Sequence, residues 1–75
     1  MGTLTQAQQG DRARRVRTLA ERAAEEAVRS GRRVALSAMA GDERDLVREQ
    51  LRWRADVATL SEGDGADRHV VIIPI

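Results

Sequence analysis

The chain has 75 residues, with thirteen arginines against twelve acidic residues, a net charge of +1, and neither lysine nor cysteine. One small domain is all such a length supports, burying only about 60% of the surface that its unfolded form exposes. The composition excludes a bulk polycation, a disulfide scaffold and a thiolate metal site. Affinity for a polyanion must therefore come from local clustering of charge, and the default compartment is the cytoplasm.

The leader MGTLTQAQQG has no basic n-region and no apolar run, so residues 1–10 are expected to be a flexible tail ahead of one domain over residues 11–75. Asp11 is a suitable N-cap for a first helix over about residues 12–30. Val16, Leu19, Ala20, Ala23 and Ala27 recur at helical spacing, and Ser30-Gly31 supplies the stop. On the outer face Arg22 is placed to pair with Glu26, and Glu25 with Arg29. RRVALS alternates, with Val34 and Leu36 on one side and Arg33 and Ala35 on the other, and reads as a short strand. Met39 is expected to plug the core where the chain turns.

Asp42 is the expected cap of a second helix running to about Trp53. DVATL is a second strand, EGDGAD a glycine-rich connection, and RHVVIIP a third strand. Apolar residues at successive positions suit a strand covered on both faces, which puts the last strand at the centre of the sheet. A central last strand makes every pairing antiparallel, and Pro74 marks where pairing ends. The predicted architecture is an α+β sandwich of order α-β-α-β-β, with two helices on one face of a three-stranded antiparallel sheet. VVIIPI, the longest apolar run, is far too short to cross a bilayer, so a soluble protein without a membrane partner is expected.

The second helix carries the candidate site. At 100° per residue, Arg44, Arg48 and Arg52 are about 40° apart in succession and form one stripe along the edge of the apolar arc. Asp45 and Glu49 fall farther round, toward water. Arg33 on the first strand, and Arg68 with His69 on the last, extend this stripe if their side chains take the same face. Arginine's planar fork suits phosphate. Spacing alone fits equally well a set of arginines that only lay their stems over the core rim with their heads in water. In either case the guanidinium groups lie outside the core, and replacing Arg44 or Arg48 is expected to leave stability almost unchanged. Trp53, seven residues after Leu46, reads as a core or boundary residue. The absence of Phe and Tyr argues against a fold that stacks bases on its sheet. His69 is the only histidine and no nucleophilic or metal-ligand spacing is present, so no enzymatic activity, cofactor or metal is expected.

LAERAAEEAVRSGRRVALSAM, DERDLVREQL, VATLSEG and DRHVVIIP together resemble the R-three-H domain, named for an Arg-x-x-x-His signature on its helix. The likeness is to the C-terminal domains of bacterial Jag (SpoIIIJ-associated) RNA-binding proteins. It covers nearly all of residues 12–75 and is most specific at Ser61-Glu62-Gly63 and Arg68 to Pro74. The resemblance implies single-stranded nucleic-acid binding, RNA above all, and a neighbouring K-homology domain in a longer protein; no Gly-x-x-Gly loop of that kind is present here. Arg44 matches the family's arginine, but Arg48 stands where the histidine belongs, giving Arg-x-x-x-Arg. Arginine stacks and donates but never accepts, so phosphate attraction is kept while an acceptor role and a pH response are lost. The alternative function is a protein-interaction or weakly homodimerising module, in which one of the pairs Val70/Ile72 or Val71/Ile73 is left uncovered on the far side of the sheet.

Overall fold

The computed structural model describes residues 6–75. Two helices and three strands follow in the expected order: α1 (Gln6–Ser30), β1 (Val34–Ala35), α2 (Gly41–Leu51), β2 (Val57–Glu62) and β3 (His69–Pro74), with a single 3-10 turn at Gly65–Asp67 before β3. Helix α1 starts earlier than its expected cap. Residues 6–10 of the expected tail form its first turns and Asp11 is interior, while residues 1–5 lie outside the described residues. A lone glycine in a helix interior costs only about 1 kcal/mol, so Gly10 does not stop the helix. At the other end Gly31 takes a φ of 70° and its N–H donates to the Ala27 carbonyl at 2.9 Å, which closes the last turn.

The inner face of α1 is Val16, Ala20, Ala23, Ala24 and Ala27, all buried. Their small size brings the helix axis close to the sheet. Leu19, expected among them, is 42% exposed. It is roughly 85° from the centre of the arc that these five residues define, so Ala24 takes the place expected for it. On the outer face Arg29 pairs with Glu26 and not with Glu25, and Arg14 pairs with Asp11.

Helix α2 is capped by a mechanism other than the expected one. Its N-cap is Ala40, whose carbonyl accepts from Glu43 and Arg44 N–H, both at 3.0 Å. The Glu43 carboxylate reaches back to accept from the Ala40 N–H at 3.1 Å, and Asp42, inside the first turn, accepts from the Glu43 N–H at 2.9 Å. Two acidic residues thus lie at the positive end of the helix dipole. Helix α2 ends at Leu51, so Arg52 and Trp53 belong to the turn that follows.

The strand order is β1-β3-β2 and both pairings are antiparallel. The last strand is central, as its apolar run requires: Val70, Val71 and Ile72 are consecutive and all buried. Val70 and Ile72 join the helices in one core with Leu36, Val47, Leu51 and Val57, and Val34, Met39 and Leu46 pack against it. Beyond β1 the pairing continues through Leu36 N–H to the Val70 carbonyl (2.9 Å) and Met39 N–H to the Arg68 carbonyl (3.3 Å). β3 ends at Pro74, although the Ile75 N–H still donates to the Asp56 carbonyl. Val71 points away from the helices yet is only 3% exposed. In register it is flanked by Ala35 and Leu60, and the apolar surface left open on that side is made of Ala35, Ala58, Leu60 and Ile73, with Ile75 82% exposed at its end. Among the described residues no helix is long and apolar enough to cross a membrane.

Candidate functional site

Three of the expected arginines, Arg48, Arg68 and Arg33, gather around the end of β2. Arg48 projects from α2 and donates to the Ser61 hydroxyl at 2.6 Å. Arg68, just before β3, donates to the Gly63 carbonyl at 2.9 Å. Arg33 approaches the Glu62 carboxylate at 3.8 Å. Three consecutive residues, Ser61, Glu62 and Gly63, are thus each held by a different arginine from a different part of the chain. Arg44, one turn before Arg48, donates to the Met39 carbonyl at 2.5 Å, and the Met39 N–H is itself bonded to the Arg68 carbonyl.

Strand register divides this set between the faces of the sheet. Ser61 is opposite Val70, whose side chain points into the core, so Ser61 and Arg48 are on the helix side. Arg68 precedes β3 in the parity of Val70, and the helix-side set is Arg44, Arg48 and Arg68, linked through the Met39 main chain and the Ser61–Gly63 loop. Glu62 is opposite His69, and both share the other face with Val71 and Arg33. Arg33 and His69 therefore adjoin the cluster at the end of the sheet without joining its face. His69 Nδ1 is 2.8 Å from the Asp67 carbonyl. A carbonyl only accepts, so Nδ1 carries the proton and Nε2 is left as the acceptor of the neutral ring. Arg52 leaves the stripe altogether, its guanidinium 5.0 Å from the centroid of the Trp53 ring.

The loop that carries this arrangement depends on Gly63. Its φ is 88°, and a Cβ there would meet the Asp67 carbonyl oxygen at 2.6 Å. Only glycine allows the chain to pass so near its own backbone while offering the Gly63 carbonyl to Arg68.

Charge at the site is partly balanced from within. Arg48 bridges Ser61 and the carboxylate of Asp45, three residues before it; Asp45 faces water as the helical wheel places it, 70% exposed, and pairs with Arg48 from there. Arg44 is half-buried and spends one donor on a main-chain carbonyl. It does more than lay its stem over the rim, which revises the expectation that its removal is neutral.

Two ion-pair groups that spacing did not reveal tie α1 to the start of α2 and to the turn after it. Arg12 of α1 donates to Glu43 at 2.9 Å. That hydrogen bond, with help from the Ala40 N–H, keeps the Glu43 carboxyl below the usual range despite its partial burial. Arg54 donates to both oxygens of Asp56, each at 2.9 Å, and to Glu21 at 2.8 Å. The Arg54 hydrogen bond lowers both carboxyls, and Gln50 adds a second donor to Glu21. The local sign in the sequence is Arg54-x-Asp56, but the Glu21 arm spans two elements and needs the fold to be seen.

Trp53 is 85% exposed and so is not the core or boundary residue that its distance from Leu46 suggests. The wheel fails there because α2 has ended two residues earlier. Among the described residues no cluster of three His, Asp or Glu side chains is placed to hold a metal ion.

A family model described as the R-three-H domain matches residues 14–74. No curated protein matches the chain.

Proposed function

The chain belongs to the R-three-H domain family, generally a nucleic-acid-binding module, and on that premise we propose that Arg44, Arg48 and Arg68 hold the phosphodiester backbone of a single strand, RNA in the natural complex. The observation that carries the reading is the Arg48–Ser61 hydrogen bond of 2.6 Å. It draws an arginine at the signature position of α2 onto the loop that Arg68 braces from the other side. Arg48 keeps 41% of its side chain exposed, so the guanidinium stays reachable while its stem is fixed. Backbone phosphate has the geometry to replace Asp45 on the outer edge of that fork. Arg44 behind it adds positive potential and sets the turn into α2. The preference for RNA rests on the likeness of the loop and last strand to the Jag RNA-binding proteins.

With arginine, which stays charged at every accessible pH, in place of histidine at the second signature position, that position adds no pH step to binding. Two or three phosphate contacts on a single strand give a slope of log affinity against log salt of about −1.4 to −2.1, at roughly 0.7 per contact. The test is a titration of labelled octauridylate and octathymidylate across a salt series. A slope in that range, with the uridylate bound more tightly, supports the reading. A slope near −6, or tight binding insensitive to salt, assigns the contact to another surface, and equal affinities remove the RNA preference.

A further inference from the structure

Trp53 is the only aromatic residue in the chain, and at 85% exposure it stands in water. Isolated exposed hydrophobic residues are ordinary on a small domain, and Leu19 and Val28, at about half that exposure, and Ile75, at 82%, are examples. Trp53 differs from them in how it is held. The Arg52 N–H donates to the Glu49 carbonyl at 3.3 Å and the Arg54 N–H to the Leu51 carbonyl at 3.1 Å, so the main chain is fastened on both sides of it. The Arg54 side chain is in turn clasped by Asp56 and Glu21. Arg52 covers one part of the ring from 5.0 Å, a cation–π contact, and makes no ion pair among the described residues. The rest of the indole is open.

We propose that Trp53 and Arg52 form a nucleobase-stacking site at the C-terminal end of α2: a base packs on the indole and Arg52 takes a neighbouring phosphate. This rests on the reading of the arginine cluster as a single-strand site and lengthens its footprint. Charge selects the occupant. Arg52, the C-cap of α2 with helical backbone angles, follows Arg48 by four residues, about 6 Å along the axis. Its guanidinium turns to Trp53 instead of continuing the stripe, so a strand that passes from Arg48 beyond the helix end meets a cation beside an aromatic face. An apolar peptide would gain the ring but nothing from Arg52, whereas a single strand uses both. Stacking of this kind tolerates any base.

Trp53 is also the chain's only strong fluorophore, so the site reports on itself. Octauridylate is titrated while indole fluorescence and the anisotropy of a labelled strand are followed, with linear polyphosphate as a ligand that has charge and no base. Trp53→Ala is checked for parental circular dichroism. The expected result is quenching by octauridylate and none by polyphosphate, with affinity for the strand about fivefold or more weaker in Trp53→Ala, the lower end of what stacking one base supplies. If the strand binds without quenching, or Trp53→Ala binds like the parent, the stacking site is overturned while the arginine cluster stands. Equal quenching by polyphosphate overturns it too, because charge at Arg52 would then account for the signal. If no strand binds the parent chain, the reading of the cluster fails and the stacking site with it.

Discussion

The arginines on α2 and the one just past its end are held differently. On the helix, Arg44 and, in the last turn, Arg48, together with Arg68 before β3, already donate to the protein's own oxygens: the Met39 carbonyl, the Ser61 hydroxyl with the Asp45 carboxylate, and the Gly63 carbonyl. Just past the helix, Arg52 rests on an exposed Trp53 and has no carboxylate partner among the described residues. A phosphate arriving at the first set must exchange with internal acceptors, so the net gain is a difference between two sets of hydrogen bonds. In return those internal bonds fix the guanidinium groups in place and lower the ordering cost of binding. The place beyond the helix offers open groups on a fastened main chain, where a ligand displaces little but water.

The largest effect that tests this contrast is on the loop. Gly63→Ala forces a left-handed φ on alanine and drives its Cβ into the Asp67 carbonyl, and should cost about 2–3 kcal/mol of stability in denaturant unfolding. It should also weaken strand binding, since Arg48 and Arg68 both brace on that loop. A Gly63→Ala protein as stable as the parent would show that the loop has freedom the structure does not suggest.

Next in size is the difference between the two signature arginines. Arg44→Ala removes a half-buried donor from the Met39 carbonyl and should lower stability by about 1 kcal/mol, with a loss of binding. Arg48→Ala should leave the unfolding midpoint near the parent's, weaken binding by about fivefold, and flatten the salt slope by roughly 0.7. If both variants unfold early and bind like the parent, the arginines are packing residues and the binding site lies elsewhere. Smaller again is Asp45→Asn. It removes the opposing charge while leaving an amide oxygen, and should tighten strand binding by about threefold, as expected for one exposed ion pair, whereas weaker binding would mean that Asp45 orients Arg48 instead of competing for it.

The smallest expected effect is the acid response of the helix clasps. Glu43, Glu21 and Asp56 all have carboxyls lowered by arginine hydrogen bonds. The unfolded chain takes up these protons first, so the stabilisation is fully present above the ordinary carboxylate range. It is lost as pH falls through the lowered values, below about pH 4. These groups are partly solvated and screened, so the loss should be shallow, and Arg54→Ala should make it shallower still. An acid transition as steep in Arg54→Ala as in the parent would put the sensitive carboxylates elsewhere.

What can be read from the sequence follows from how each signal is generated. A strand apolar at both parities must be covered on both faces, which locates β3 at the centre without knowledge of any pairing. The 3.6-residue period likewise locates Val47 and Leu51 inside and Arg48 at the rim. The same period misleads wherever it is extended past the helix: Trp53 follows Leu46 by two turns only if α2 continues, and it stops at Leu51. Asp45 does face water as the wheel places it, and only its pairing with Arg48 is missed. The wheel follows Cβ directions, while the arginine side chain is long enough to swing back three residues and collect it. The alternation of RRVALS already puts Arg33 on the side away from Val34 and Leu36, but β3 is apolar at both parities, so the face of His69 follows only from register, with Glu62 opposite His69 and Ser61 opposite Val70. The Arg54 clasp onto Glu21 joins residues 33 apart and has no local period at all.

The central claim is that a single strand is held where α2 meets the end of β2. The most direct measurement is a backbone amide NMR titration of the chain with octauridylate. The largest shifts should fall at Arg44 and Arg48, at Ser61 to Gly63, and at Arg68, with smaller ones at Arg52 and Trp53. Shifts confined to the outer face of α1, around Arg14, Arg15 and Arg22, with the Ser61 loop unmoved, would contradict it.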